Sequence, residues 1–380
     1  MKMRISFFSK LFILFSAAII TACSGDGSRS TRLDGDTLAL KYATALTVVR
    51  YDDCTTVQLA DPWNPGKILH TYVLVSSEQP RLDNLPEGTV VEVPLSKSVV
   101  ATSVHCGLIE ALGKKQAISG VCDLQYINLS WVDSLCRNGK IADCGTAMSP
   151  TIETIIDISP DAIFLSPFQN SGGYGKVEDL NIPIIEMADY METSALGRAE
   201  WMKFYGMLFG AEREAEAIFT QVEHDYLALK ELASQSSHRP SMVMNKLTSN
   251  VWYVPAGKST IGRLIDDANI LYPFAKDPNS GSLSLSFERV LEDAGECDIW
   301  AFRYNNPVNL TRQDLLDEHP GYEQFKAFRN NNVWYCNTAY SNFYEETPFH
   351  PELLLRDFII MSHPDLDSLG TTRYYSRLTK

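Results

Sequence analysis

Thr151-Ile152-Glu153-Thr154-Ile155-Ile156-Asp157-Ile158, then Ser159-Pro160-Asp161, then Ala162-Ile163-Phe164-Leu165: this stretch decides the fold. Isoleucines at 152, 155 and 156 repeat at helical spacing between polar residues, which predicts a short amphipathic helix. Ser-Pro-Asp ends it, because proline has no amide hydrogen and drives the residue before it out of helical conformation. The four apolar residues that follow do not alternate with polar ones. They predict a strand. On one side Ile182-Pro183-Ile184-Ile185 predicts a further strand. On the other lie the strand Ile118-Ser119-Gly120-Val121 and a helix from Ser103 to Leu112, stopped by Gly113. Strands alternating with helices make βαβ units and a largely parallel sheet.

Working outward, residues 37–87 look different. Leu38-Ala39-Leu40, Ala45 to Val49 and Tyr72 to Val75 read as strands, with Asp61-Pro62 and Asn64-Pro65-Gly66 as turns. They predict an antiparallel, β-rich lead-in, which Val90 to Val93 and Val99 to Ala101 continue. Toward the C-terminus, Ala215, Ile218, Phe219, Val222, Tyr226 and Leu229 recur at helical spacing. A helix from Ala211 to Ser234 would be about 36 Å long at 1.5 Å per residue. Strand and helix signals then alternate again. Strands are expected at Ser241–Met244, Ile299–Phe302 and Val333–Tyr335, and helices at Thr260–Ala268, Phe287–Asp293 and Pro351–Met361. The expected fold class is α/β, with two Rossmann-like lobes of mostly parallel sheet joined by one long α-helix. The N-terminal lobe would span 88–210, the connecting helix 211–236 and the C-terminal lobe 237–380.

The chain has 380 residues, 47 acidic against 33 basic, and 45% hydrophobic residues. That is enough apolar material for a sizeable core. A formal charge of −14 excludes a general nucleic-acid binder, which needs basic surface to displace counterions. The N-terminus reads as an address. Lys2, Arg4 and Lys10 precede the short apolar run Leu11 to Ile20, and Ile20-Thr21-Ala22-Cys23 follows. This end resembles the lipobox of bacterial lipoproteins, which implies cleavage after residue 22 and a diacylglycerol on Cys23. Residues 23–36, rich in Ser, Gly and Asp, read as a flexible tether. Loss of residues 1–22 removes three basic and no acidic side chains, leaving 47 acidic against 30 basic, or −17. Beyond this segment no run approaches the length of a membrane-spanning helix.

Seven cysteines remain after Cys23: Cys54, Cys106, Cys122, Cys136, Cys144, Cys297 and Cys336. Export permits disulfides, and an odd number leaves at least one thiol unpaired within the chain. Cys122, Cys136 and Cys144 lie close in sequence, so one pair among them can bridge. No Cys-x-x-Cys or Cys/His cluster has zinc spacing, and no metal site or cofactor is expected.

Cys144-Gly145, Thr151 to Ile155 and Ser159 to Leu165 together resemble a signature of periplasmic substrate-binding proteins. These serve ATP-driven (ABC) importers of ferric siderophores, haem and vitamin B12 (cobalamin). The family pattern is roughly G-x(n)-N-x-E-x-I-x-x-L-x-P-D-L-I, and Thr151 stands where Asn is common. Ser286-Phe287-Glu288-Arg289-Val290-Leu291 ahead of Cys297-Asp298-Ile299-Trp300 echoes it in the second half. Val251 to Tyr272 is similar to the opening of the family's second lobe, and His350 to Leu354 to the start of its last helix. The resemblance spans about 88–365, and the lead-in is unusually long for it. It implies the class III periplasmic binding protein fold, with ligand held between lobes and no covalent chemistry. A continuous connecting helix implies small hinge motions, because sharp bending breaks its hydrogen-bond ladder. It also implies permease docking through one Glu on each lobe, which by motif position are Glu153 and Glu288.

In α/β folds ligands sit at loops after strand ends. Candidates in the first half are Ser103, His105, Tyr126 and Phe168, then Tyr174, Tyr190 and Arg198. In the second half they are Trp252, Tyr253, Arg303 and Tyr304, then Tyr340, Phe343 and Tyr344. Aromatic rings offer stiff, flat contact for a macrocycle or catechol, and arginine suits anionic groups. His105 reads better as a structural residue than as a metal or haem ligand. Asn170 to Gly175 reads as a cleft loop.

Other motifs fail. Gly257-Lys258-Ser259-Thr260 lacks the first glycine of a phosphate-binding loop, since position 252 is Trp252. There is no G-x-S-x-G or H-E-x-x-H, and the neighbours Glu345-Glu346 do not suit glycoside hydrolysis. The sequence thus predicts an exported, lipid-anchored, monomeric solute-binding protein of an importer. Its partners would be the permease with its ATPase, a metal-chelate or corrinoid ligand, and the membrane through its lipid only. The competing readings are an exported two-lobed hydrolase and a surface lipoprotein that captures ligand for an outer-membrane receptor. The second would have no use for the Glu153 and Glu288 pair.

Overall fold

The computed structural model describes residues 35–78, 84–169 and 172–378. The signal segment, Cys23 and the tether up to residue 34 lie outside the described residues. No helix among the described residues is long and apolar enough to cross a membrane.

The lead-in forms a sheet of β1 (Asp36–Thr37), β2 (Leu46–Arg50), β3 (Thr55–Ala60), β4 (Ile68–Ser76) and β5 (Thr89–Val93), in that order. The first four pair antiparallel. The last pair is parallel, with Tyr72 opposite Thr89 and Ser76 opposite Val93, which corrects the antiparallel expectation. Leu38-Ala39-Leu40 is not a strand either. The backbone just beyond it is held by carboxylates instead of a sheet ladder. Glu200 accepts the N–H groups of Lys41, Tyr42 and Ala43 at 2.8–3.0 Å. Glu192 accepts those of Thr44 and Ala45 at 2.8 and 2.9 Å.

The N-terminal lobe follows. Its elements in chain order are β6 (Ser98–Val100), α1 (Ser103–Ala111), β7 (Ile118–Val121), α2 (Ser130–Arg137) and β8 (Ala142–Asp143), then the small hairpin of β9 (Gly145–Thr146) and β10 (Ser149–Pro150). Next come α3 (Ile152–Ile158), β11 (Ala162–Leu165) and β12 (Ile184–Glu186). The sheet order is β12-β11-β6-β7-β8, parallel throughout. The four residues of β11 are all buried, as their unbroken apolar run requires. α4 (Ala195–Glu200) and α5 (Met202–Phe209) lead into α6 (Glu212–Ser234), the connecting helix, which buries Ala215, Phe219, Val222 and Tyr226. No Pro or Gly interrupts its 23 residues.

The C-terminal lobe begins with β13 (Met242–Met244), β14 (Leu247–Thr248), β15 (Val251–Pro255), α7 (Thr260–Asp267), β16 (Ser282–Leu285), α8 (Phe287–Ala294) and β17 (Ile299–Tyr304). It ends with α9 (Arg312–Glu318), α10 (Lys326–Arg329), β18 (Val333–Asn337), α11 (Phe343–Glu346), α12 (Pro351–Ser362) and β19 (Ser376–Arg377). β13, β17 and β18 run parallel, and β19 closes that sheet antiparallel. β14, β15 and β16 form a smaller antiparallel sheet. α12 packs along α6, and Asp267 of α7 accepts from Tyr226 at 2.6 Å and Lys230 at 2.7 Å on α6.

Both lobes start their central strand pair in the same way. Asp161, just before β11, accepts the Ser96 N–H at 2.7 Å, the Ser96 hydroxyl at 2.8 Å and the Lys97 N–H at 2.8 Å, at the entrance to β6. Asp298, just before β17, accepts the Ser241 N–H at 2.9 Å and its hydroxyl at 2.8 Å, at the entrance to β13. The aspartate of the sequence signature is therefore a staple across two parallel strands.

The lobes also meet directly. The Glu345 carboxylate of α11 accepts the Asn128 N–H at 3.1 Å and hydrogen bonds with the Ser103 side chain. A Cβ at Gly107 would collide with the Glu345 carbonyl, so only glycine lets α1 approach α11 this closely. Cys122, Cys136 and Cys144 are unbridged thiols, contrary to the pairing the sequence allowed.

Candidate functional site

Parallel strands end together, so the loops after them form one face of each lobe. Beyond the ends of β6, β11 and β12 lies a cavity of about 730 Å³. Phe168, Tyr174 and Tyr190 line it, with Met148, Lys176 and Gly172. Beyond β13 and β17 lies one of about 400 Å³, lined by Tyr253, Arg303, Tyr304 and Tyr344 together with Asn245 and Lys246. A third, of about 600 Å³, spans both lobes, with Asn128 and Trp131 on one side and Tyr340 and Asn342 on the other. Eight of the residues singled out from the sequence thus line these three cavities.

Others do not. Trp252 is fully buried among Trp300, Tyr322 and Phe325, and its Nε1 donates to the Met244 carbonyl at 2.9 Å. Side chains alternate along β15, so Trp252 points inward while Tyr253 is 46% exposed. His105 is 3% exposed and fully engaged. Its Nδ1 lies 2.6 Å from Thr102 Oγ1 and its Nε2 2.8 Å from Asp189 Oδ1 and 2.9 Å from Tyr205 Oη. Arg198 is bound to Asp189 at 2.9 Å, and Ser103 to Glu345. Placing these four in the cleft from sequence is corrected accordingly: they hold the walls rather than line the cavities. Tyr126 is exposed, outside the lining of all three, and Phe343 is buried beneath the Arg303 guanidinium. Met148, Trp131, Lys176 and Asn245 are cavity residues that strand-end reasoning missed. The Gly-rich loop was the signal that could have found Lys176.

Behind Tyr174 sits a titratable group. The Tyr174 hydroxyl donates to Glu186 Oε1 at 3.2 Å, and His70 Nδ1 lies 3.8 Å from Oε2, which has no hydrogen-bond partner. Burial pushes the Glu186 carboxyl up to about 7, although Tyr174 opposes this. A carboxyl whose pKa is higher folded than unfolded favours folding when neutral. That stabilisation is complete below about pH 4.3, the unfolded value, and is lost as pH rises through 7. Glu186→Gln is therefore expected to melt at a temperature less sensitive to pH between 5 and 8 than the parent. Thermal melts at both pH values test this, and an unchanged pH dependence would refute it.

Glu153 and Glu288 occupy the same position in each lobe, the second residue of α3 and of α8, and both are exposed. At Glu288 backbone and Ser286 hydrogen bonds hold the carboxyl below its usual range. No cluster of His, Cys, Asp or Glu among the described residues could hold a metal ion.

An uncharacterized lipoprotein of Methanocaldococcus jannaschii is 25% identical to the chain over 363 residues, covering 89% of this chain and 85% of its own. Among solved structures, a periplasmic heme-binding protein from Pseudomonas aeruginosa superposes with a TM-score of 0.56, covering 75% of this chain and 99% of its own at 13% identity. An Fe3+-hydroxamate transport protein from Saccharomonospora viridis gives 0.56, covering 71% and 94% at 16% identity. At these identities the structures establish the fold alone: two α/β lobes bridged by one long helix. A profile of periplasmic binding proteins matches residues 99–340, from β6 through the loop after β18. That match takes in more than half of the sequence and all three cavities' principal walls, and the chain belongs to the periplasmic binding protein family.

Proposed function

We propose that this chain is the extracytoplasmic, lipid-anchored solute-binding protein of an ABC importer. It captures a ferric siderophore, a haem or a corrinoid between its lobes and hands it to the permease. One observation carries the reading. Cavities lie at the strand ends of both lobes, and the third is walled by both. Seven aromatic side chains singled out from the sequence line these cavities, giving the stiff, flat contact a large planar ligand needs. The lipoprotein relative supports the anchor at Cys23, and the family supports delivery to a permease without covalent chemistry.

The test is thermal shift of the full chain in detergent against haem, cobalamin, several ferric siderophores and free metal ions. A ligand at 100 times its dissociation constant stabilises by about 2.7 kcal/mol, and one member should raise the melting temperature accordingly. Trp131, in the wall between the lobes, gives a fluorescence readout of the same binding. If no member of the panel shifts either signal, the importer reading is wrong.

A further inference from the structure

The lead-in precedes residue 99, where the match to periplasmic binding proteins begins, yet it supplies part of what stands behind the N-lobe cavity. β12 is the edge strand of its sheet, and the lead-in meets it through side chains. The Tyr72 hydroxyl of β4 donates to the Ile184 carbonyl at 2.9 Å and accepts the Glu186 N–H at 2.8 Å. His70, two residues earlier on the same face, stacks on Tyr72 with ring centroids 4.4 Å apart. Its Nδ1 faces Glu186 Oε2 across 3.8 Å, and its Nε2 lies 2.8 Å from Thr89 Oγ1. The other carboxylate oxygen, Oε1, accepts from Tyr174, whose ring is in the cavity wall. Few other titratable groups act here. Asp61, between β3 and β4, adds negative charge that favours a protonated Glu186. Glu178 accepts the Tyr174 N–H at 2.6 Å, and Tyr190 acts on Tyr174 alone. β11, on the far side of β12, is apolar from Ala162 to Leu165.

The facing atoms suit one proton. With none, Oε2 is a buried anionic oxygen without a donor among the described residues, which is costly. With two, on Oε2 and on Nδ1, donor meets donor. With one, on either atom, donor meets acceptor, and small side-chain rotations close the gap. The 3.2 Å bond from Tyr174 is long for a hydroxyl donor, as befits an acceptor without full charge. A bare carboxylate draws a hydroxyl in by about 0.5 Å, to a charge-assisted length. We infer that Glu186 and His70 share a single proton and, through the Tyr174 hydroxyl, position that ring, so that losing the proton to water moves the cavity wall. Glu186 is thus a positioning residue, and its partner comes from the lead-in. A solute seated against Tyr174 is then held with an affinity that follows pH. This last step rests on the solute-binding reading; the test needs no solute, so the inference can fail while that reading stands.

The full chain in detergent, with 3-fluorotyrosine in place of tyrosine, is followed by fluorine NMR from about pH 5.5 to 8. The Tyr174 signal is the one missing in Tyr174→Phe. It is expected to shift with a midpoint near the value of about 7 that burial gives Glu186. Glu186→Gln cannot lose a proton, so its Tyr174 signal should stay still over this range. Glu186→Asp keeps an ionisable group and should restore a pH-dependent signal. His70→Gln, at a partly exposed position, should move the midpoint by about half a pH unit or more. A purely structural Glu186 would change the melting temperature and leave no titration at Tyr174. Circular dichroism checks folding, and His70→Gln decides the matter if Glu186→Gln does not fold. A Tyr174 signal that stays still in the parent overturns the inference. So does a parental titration that persists in Glu186→Gln, or a midpoint that His70→Gln leaves in place.

Discussion

If Glu153 and Glu288 are the docking residues we propose, reversing both charges, Glu153→Arg with Glu288→Arg, is expected to reduce ligand uptake by cells to background while the purified protein binds ligand as before. Each Glu is exposed in the first turn of its helix and is not itself among the residues lining the three cavities. An exposed ion pair within a free protein contributes at most about 1 kcal/mol. Across a docked interface close charge pairs couple by about 1.5–7 kcal/mol, and reversal replaces attraction with repulsion at two points. Either single reversal should leave partial uptake, because one lobe still engages. Uptake at the parental rate in the double variant would show that docking uses other groups, and it would favour capture for a different receptor.

The largest stability effect is expected at Asp189. This carboxylate has no exposed surface and accepts from Arg198 Nε at 2.9 Å and from the Tyr205 hydroxyl at 3.1 Å, with His105 Nε2 at 2.8 Å. Burial alone would raise its pKa, but His105 and Arg198 outweigh burial and hold the carboxyl far below its usual range. Asp189→Ala leaves the half-buried Arg198 guanidinium without its counter-charge and the buried His105 and Tyr205 without their shared partner, a loss of about 3–5 kcal/mol. That is a large share of a typical domain's stability of about 5–15 kcal/mol. A depressed carboxyl pKa contributes stability above the unfolded value of about 3.9 and loses it as pH falls toward the folded value. The gap between parent and variant should therefore be full at pH 7 and begin to narrow only below about pH 4. Urea titrations at pH 7 and pH 3.5 measure both quantities, and a variant within 1 kcal/mol of the parent at pH 7 would refute the role. The next residue is Tyr190, whose ring lines the N-lobe cavity, so loosening this cluster should also blur that wall.

The helices and buried strands were legible because each has a period of its own. Residues 151–165 hold a 3.6-residue repeat, a proline stop and an unbroken apolar run, and the structure has α3 and β11 there. The connecting helix was equally plain, its start one residue from the expectation. The lead-in was less legible. Whether β4 and β5 run parallel depends on the path of the connection between them, and local alternation does not record that path. The strand expected at Leu38–Leu40 failed because Glu192 and Glu200, some 150 residues away, capture the backbone that follows it. In the site, strand-end position located the walls but not the direction of each side chain. Trp252 and Tyr253 are neighbours, and the pleat sends one into the core and the other toward the cavity. His105 and Arg198 sit near the expected place but are claimed by Asp189, a partner that spacing does not reveal.

The paired aspartate staples have a consequence for how each lobe assembles. β6 and β11 are joined through residues 101–161 and β13 and β17 through residues 245–298, so their alignment is not dictated by a tight turn. These strands are buried on both faces, so the apolar pattern alone does not fix their register, and sliding one of them by a single residue would exchange the side chains of its two faces. It would also carry Ser96 and Lys97 away from Asp161, or Ser241 away from Asp298, and strand a carboxylate without its donors. The staple therefore proofreads strand alignment, and each lobe carries its own copy of the editor.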